Sequence, residues 1–81
     1  MINDGIETDR ILDLKGEVCP YTFVKTKLAL EKMEPGQVLR VLIDYPSSVD
    51  NVPRSAKSEG HQVLAIDQVE EGQWAIVIQK R

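Results

Sequence analysis

The pattern of hydrophobic residues predicts an α+β fold, a two-layer βαβαββ sandwich with both helices on one face of a four-stranded sheet. Three observations support this prediction. Four short segments show the alternation of apolar and polar residues that is typical of strands, and two segments between them show helical spacing. Right-handed crossovers place both helices on the same face of the sheet. A short turn joins the last two strands, as in a hairpin.

The first strand and the first helix are predicted between residues 10 and 34. Arg10 to Lys15 alternates, with Leu12 and Leu14 pointing inward. The first helix is expected to run from Pro20 to about Glu34, because Pro35-Gly36 is a typical end signal. Its main apolar stripe is expected to face the sheet and consists of Phe23, Thr26, Ala29, Leu30 and Met33.

The first helix also has a second apolar stripe, made of Tyr21, Val24 and Leu28. Contact with a neighbouring helix is the favoured explanation for this stripe. A docking surface beside Cys19 is the alternative.

Val38 to Ile43 is the predicted second strand. Leu39, Val41 and Ile43 lie on one face of it and Val38, Arg40 and Leu42 on the other.

A second helix is predicted after the second strand. Ser47 or Ser48 is expected to cap it, with Asp50 at the third position as in a capping box. Pro53 falls inside this helix and is expected to kink it or to delay its start. Gly60 is expected to end it.

Gln62 to Val69 and Gln73 to Gln79 are predicted to form a closing hairpin around Glu71-Gly72. Trp74, Ile76 and Ile78 alternate inward. The sheet face without helices would then expose Ile11, Leu42, Val63, Ala65 and Val77. Because this is a large apolar area for open solvent, we predict a partner surface or weak self-association there.

Cys19 is the only cysteine, and Pro20 follows it directly where the chain is expected to enter the first helix. Proline suits the first helical position, which makes Cys19 the N-cap. Val18 and Phe23 then have the spacing of a hydrophobic staple. A cysteine satisfies the free amides of a first helical turn well only as its thiolate, and such sites lower a cysteine pKa. Cys19 is therefore the candidate reactive residue.

A lone cysteine is more often a small buried hydrophobe, and this alternative remains beside the reactive one. Gly16, the staple and Pro20 favour the reactive thiol. Lys15 and Lys25 add little positive potential, since Glu17 is closer in sequence and opposes them.

Composition limits the function further. One cysteine cannot form an internal disulfide, and no neighbouring histidine or cysteine offers metal-ligand spacing, so no metal and no cofactor is expected. His61 is interpreted as a surface or strand-edge residue rather than the base of a Cys-His pair. Asp44 and Asp50 are interpreted as a turn residue and a helix-start residue.

The formal net charge is −3, and neither sign forms a block. This balance argues against direct, tight nucleic-acid binding, which usually needs a basic stripe. No signal peptide or membrane span is apparent, and a cytoplasmic location is expected. Residues 1–9 are expected to be a flexible N-terminal segment and residues 10–81 a single domain.

The run Leu12-Asp13-Leu14-Lys15-Gly16-Glu17-Val18-Cys19-Pro20 resembles the signature of the TusA/SirA-like family of small sulfur carriers, whose hallmark is Cys-Pro-x-Pro at the start of the first helix. The resemblance continues at Pro35-Gly36, Asp44-Tyr45-Pro46, Asn51-Val52-Pro53 and Gly60-His61, and so covers nearly the whole chain from Ile11. Two positions depart from the pattern. Thr22 stands at the second proline of the hallmark, and Asn51 replaces an acidic residue.

The resemblance implies a mixed sheet whose last strand is antiparallel to the others. It also implies that Cys19 carries a persulfide and acts as a sulfurtransferase-type carrier. Pro20, Tyr21 and Thr22 would shape the surroundings of the thiol. The implied partners are a cysteine desulfurase or rhodanese-type donor and a downstream acceptor protein, in tRNA thiolation, cofactor or sulfur-oxidation pathways. The alternatives are a non-catalytic interaction or regulatory domain that uses the open sheet face, and a one-cysteine redox sensor.

Overall fold

A computed structural model describes residues 8–17 and 21–81 and confirms the α+β fold and the predicted βαβαββ order. The elements are β1 (Arg10–Asp13), α1 (Tyr21–Glu31), β2 (Val38–Ile43), α2 (Pro46–Ser58), β3 (Gln62–Glu70) and β4 (Gln73–Gln79). Strand β1 is two residues shorter than predicted, because a turn already begins at Lys15 and Leu14 is not part of the ladder. Residues 1–7, most of the predicted N-terminal segment, lie outside the described residues. Asp9 exchanges two hydrogen bonds with Val38, through its N–H and its carboxylate.

The four strands form one mixed sheet in the order β1-β2-β4-β3. Strand β2 is parallel to β1, and β4 is antiparallel to both β2 and β3, as the family resemblance implied. The hairpin therefore places β4 between β2 and β3. Strands β2 and β4 form the middle of the sheet and are its most buried strands.

The core lies between one sheet face and the two helices. Leu39, Val41, Ile43, Ile76 and Ile78 from the sheet are fully buried against Leu30 of α1 and Val52 and Ala56 of α2. Burial of one large aliphatic side chain stabilises the fold by about 1.5–3 kcal/mol. The main stripe predicted for α1 is confirmed, because Thr26, Ala29, Leu30 and Met33 are buried and Phe23 is half-buried.

The second stripe of α1 does not contact a neighbouring helix, so the favoured interpretation was wrong. Tyr21, Val24 and Leu28 are exposed at 58%, 45% and 50%. Helix α2 meets α1 on a different side, where the buried side chains of Thr22 and Ser48 touch. A docking surface on this stripe stays a prediction.

Helix α2 begins at Pro46, before either predicted serine cap. Tyr45 is the N-cap residue and makes no side-chain capping hydrogen bond. Proline is well suited to the first helical position, and a start at Pro46 turns Ser48 into the interior. Asp50 is not a capping residue, because its carboxylate pairs with Arg54 one turn later. The helix continues through Pro53, which does not delay its start.

The two helices end differently. Helix α1 stops at Glu31, three residues before the predicted end, and the N–H groups of Lys32 and Met33 bond three residues back in a tightened turn. Helix α2 ends at Ser58 with Glu59 as its C-cap, and Gly60 follows and terminates it, as predicted. Gly60 has a φ of +90°, and its N–H and that of His61 bond to the carbonyls of Lys57 and Ala56 in a Schellman arrangement.

The sheet face without helices differs from the prediction at Val63 and Val77. An irregularity between Val63 and Ala65 shifts the register, so that Val63 lies opposite Ile78 and packs against the core. Val77 is fully buried, whereas Ile11 is exposed at 59%. Self-association through this face stays a prediction. Neither helix in the described ranges is long and apolar enough to cross a membrane.

Candidate functional site

The candidate site lies at the sheet edge where β1 and β2 end. Because these strands are parallel, the loops that leave their carboxyl ends lie side by side. Cys19 and Pro20 fall between the two described ranges, as does Val18. The predicted N-cap, the proline at the first helical position and the Val18–Phe23 staple therefore lie outside the described residues. The structure gives the frame on either side, up to Glu17 and from Tyr21.

The loop before Cys19 is held by hydrogen bonds to β2 and to the loop that follows β2. The N–H of Leu14 donates to the carbonyl of Leu42 at 2.8 Å, which extends the contact between β1 and β2. The N–H of Gly16 donates to Asp44 Oδ1 at 3.0 Å. Gly16 has a φ of +92°, a left-handed conformation that favours glycine. The loop that leads to Cys19 is thus fixed to the loop between β2 and α2.

Asp44 has a role that the sequence did not reveal. It was interpreted as a turn residue, and it does follow β2, but its carboxylate also binds a backbone amide 28 residues earlier. An aspartate at a strand end is a common turn signal, and nothing in the local sequence identifies a distant partner.

Thr22 is a structural contact between the helices. Its side chain is fully buried, and its Oγ1 lies 2.8 Å from Ser48 Oγ. Thr26 Oγ1 donates to the Thr22 carbonyl at 2.7 Å. Tyr21, the other described supporting residue, is exposed at the surface of the same helical turn. Of the two described supporting residues that the sequence predicted, Tyr21 is therefore exposed and Thr22 is buried. Ser48 was not predicted as the contact of Thr22.

The described charges around the loop largely cancel. Lys25 Nζ lies 2.8 Å from Glu17 Oε2, in an ion pair between two partly exposed side chains. Such a pair contributes about 0–1 kcal/mol, but it holds a carboxylate beside Lys25, the first lysine of α1. This geometry agrees with the small weight given to Lys25 at the sequence level.

His61 lies at the opposite edge of the sheet, between α2 and β3. Its Nδ1 accepts a hydrogen bond from the N–H of Arg81 at 3.0 Å. Burial lowers the pKa of His61, and the positive charges of Lys80 and Arg81 lower it further. This contact, beside the start of β3, agrees with the interpretation of His61 as a strand-edge residue. In the described part of the chain, no cluster of three or more His, Cys, Asp or Glu side chains could hold a metal ion.

Comparison with known proteins identifies the family. The family model described as Sulfurtransferase TusA matches residues 10–80. The chain belongs to the TusA family. It is similar to a provisionally named sulfur carrier protein of Archaeoglobus fulgidus, with 51% identity over 76 residues that cover 94% of this chain and 86% of the relative.

Two further TusA-family comparisons agree. The provisionally named sulfur carrier protein YedF of Escherichia coli is 41% identical over 64 residues, which cover 79% of this chain and 83% of the relative. The crystal structure of a SirA-like protein from Desulfitobacterium hafniense superposes with a TM-score of 0.76 at 31% identity and covers 86% of this chain and 95% of that protein. These matches confirm the resemblance and support a TusA-like sulfur carrier role.

Proposed function

We propose that Cys19 accepts sulfur from a donor persulfide and relays it to an acceptor protein. The observation that carries this proposal is the position of the only cysteine in a TusA-family chain. It stands at the entry to α1, after a loop that Gly16 and Asp44 fix to the neighbouring loop. Membership of the family supports the sulfur carrier role, and the anchored loop supports Cys19 as the point of attachment.

The transfer needs no metal and no separate base. The thiolate of Cys19 attacks the outer sulfur of a donor persulfide, the sulfur–sulfur bond of the donor breaks, and the donor cysteine leaves as a thiolate. Cys19 then holds the outer sulfur as its own persulfide. An acceptor thiolate attacks that sulfur, and the Cys19 thiolate is released. No net oxidation occurs in either step.

The start of α1 favours the charged forms in both steps. The first amides of a helix have no partner within the helix, and the helix dipole adds positive potential at this end. In the proposed arrangement, the free amides near Tyr21 and Thr22 hold the thiolate or persulfide anion. The burial of Thr22 against α2 fixes the first turn in place.

The partners follow from the chemistry. A cysteine desulfurase or a rhodanese-type protein would supply the sulfur, and a protein with an accessible thiol would receive it. Tyr21, Val24 and Leu28 form an exposed apolar stripe that begins two residues after Cys19, and it could contact such partners. A cytoplasmic location and a place in tRNA thiolation, cofactor synthesis or sulfur oxidation belong to this proposal.

Intact-mass spectrometry after incubation with a cysteine desulfurase and free cysteine tests the proposal. We expect one added sulfur atom that mild reduction removes and that Cys19→Ala lacks. Absence of any adduct would instead favour a non-catalytic interaction domain. Sulfenate or glutathione adducts under peroxide, without a preference for persulfide donors, would indicate a redox sensor.

Two substitutions separate the role of the sulfur from the role of the fold. Cys19→Ser should keep the thermal stability, because serine is a favourable N-cap, while it abolishes sulfur loading. Pro20→Ala should slow the transfer more than it lowers stability. A large loss of stability in Cys19→Ser would show that the sulfur is a core atom.

A further inference from the structure

The buried hydroxyl pair of Thr22 and Ser48 lies close to Cys19 along the chain. Cys19 precedes Thr22 by three residues, and three residues span at most about 11 Å. Both side chains are fully buried and their oxygens lie 2.8 Å apart. Because a buried hydroxyl is costly to leave without a partner, this contact resists separation. It therefore fixes the first turn of α1 to the first turn of α2.

The α2 side of this contact is itself well held. The N–H of Ser48 donates to the Tyr45 carbonyl at 2.9 Å, within the turn that starts the helix. One residue earlier, the Asp44 carboxylate accepts the N–H of Gly16 at 3.0 Å. Gly16 and Thr22 stand three residues before and three residues after Cys19. The chain on both sides of the cysteine thus takes its position from one short segment.

The backbone N–H of Thr22 is the group that this contact would place. The side chain of an N-cap residue accepts a hydrogen bond from the N–H at the second or third helical position. With Cys19 as the N-cap, Thr22 stands at the third position. A proline there, as in the Cys-Pro-x-Pro hallmark, would have no N–H. Thr22 therefore gives this chain a backbone donor toward the sulfur, and its side chain is clamped by α2.

We propose that Ser48 is a positioning residue for the sulfur of Cys19. Through the Thr22 hydroxyl, Ser48 holds the Thr22 N–H where it donates to the Cys19 thiolate and afterwards to the persulfide anion. A hydrogen bond to a charged acceptor is strong but depends on distance and angle, so a small displacement of the first turn weakens it. Ser48 acts through Thr22 and not on the sulfur itself. This inference rests on the proposed function and adds to it a residue from outside the hallmark.

Alkylation by iodoacetamide across a range of pH tests the inference, because Cys19 is the only thiol of the whole chain. Ser48→Ala and Thr22→Val should raise the midpoint of the alkylation profile by about 0.5–1 pH unit, which lowers the thiolate fraction below the midpoint about threefold to tenfold. Thr22→Ser keeps the hydroxyl and should keep the profile. The variants leave unchanged the charged and titratable groups on the described segments that flank the cysteine, which are Lys15, Glu17, Tyr21, Lys25, Asp44 and Tyr45.

Val52→Ala is the matched control for a general loss of stability. Val52 is fully buried and lies one turn after Ser48 on the same side of α2. Its truncation should lower the thermal stability at least as much as Ser48→Ala does, but it should leave the alkylation profile unchanged. The inference is overturned if Ser48→Ala keeps the profile of the unchanged chain, or if Val52→Ala shifts the midpoint by as much.

The rate of sulfur loading from a cysteine desulfurase separates this inference from the proposed function. We expect Ser48→Ala to load sulfur more slowly than the unchanged chain and Thr22→Ser to load it at the same rate. If the unchanged chain takes up no sulfur while Ser48→Ala still shifts the alkylation midpoint, the proposed function fails and the positioning of the thiolate stands. If the unchanged chain loads sulfur and Ser48→Ala matches it in rate and profile, the positioning role fails and the proposed function stands.

Discussion

The hydroxyl pair of Thr22 and Ser48 joins the first turns of the two helices, and its energy can be measured with a double-mutant cycle. Both side chains are fully buried, and their oxygens lie 2.8 Å apart. Thr22→Val keeps the shape of the side chain but leaves the Ser48 hydroxyl without this partner. Ser48→Ala in turn leaves the Thr22 hydroxyl without the Ser48 hydroxyl as its partner. A buried hydroxyl without a partner costs about 1–3 kcal/mol, so each single variant should lose that much stability.

The double variant should lose less than the sum of the two single variants. When both hydroxyls are removed, no polar group is left buried without a partner, and the change is close to neutral. We therefore expect the double variant to fall short of additivity by about 2–3 kcal/mol, at the upper end of the range known for residues in direct contact. Near the melting temperature, 1 kcal/mol corresponds to about 4–8 °C for a domain of this size.

Urea denaturation, followed by circular dichroism at fixed pH, is the assay. Thr26→Val is the matched control, because Thr26 is also a buried threonine of α1 but its hydroxyl donates to a carbonyl of its own helix. Loss of the Thr26 hydroxyl leaves no buried group of α2 without a partner. Thr26→Val should therefore lower the free energy of unfolding less than Thr22→Val does. Strict additivity of Thr22→Val and Ser48→Ala would refute the reasoning, since it would show that the two hydroxyls do not depend on each other.

Three further predictions concern the edges of the domain. The pKa of His61 is lowered from 6.5 in the folded chain, so the histidine of the unfolded chain is protonated first as the pH falls. The free energy of unfolding should therefore decrease as the pH drops below about 6.5. His61→Gln should flatten this part of a plot of melting temperature against pH, and parallel curves would contradict the link. Asp44→Ala removes the acceptor for Gly16 and should cost about 1 kcal/mol in urea denaturation, whereas Asp44→Asn should cost less. If the open sheet face self-associates, Ile11→Lys should elute later than the unchanged chain from a sizing column at high concentration; identical elution would count against that interface.

The elements that the sequence predicted well are those with a strong local pattern. Strands β2 and β4 have the predicted ends, because both are apolar segments bounded by turn residues. The end of α2 was also predicted, since only a residue such as Gly60 readily adopts a left-handed φ there. At the start of α2, Pro46 competed with two serines as a start signal, and the proline prevailed.

The features that the sequence did not predict depend on contacts between distant residues or on one extra residue in a strand. The irregularity after Val63 reverses the alternation on which the assignment of sheet faces was based, so Val63, which was assigned to the open face, packs against the core. The partners of Thr22 and Gly16 are 26 and 28 residues away. A helical wheel can show that Thr22 points inward, but it cannot show which side chain it meets.

Thr22 shows how this chain differs from the Cys-Pro-x-Pro hallmark of its family. A second proline would stiffen the first turn of α1 locally, because its ring fixes φ. Thr22 has no such ring, but its buried hydroxyl contacts Ser48, the third residue of α2. The position of the first turn therefore depends on α2 rather than on the local backbone alone. Since Asp44 also fixes the loop before Cys19 from the β2–α2 side, both sides of the candidate site are held by the same segment, residues 44–48. A change in that segment would alter the surroundings of Cys19 without touching the residues of the hallmark.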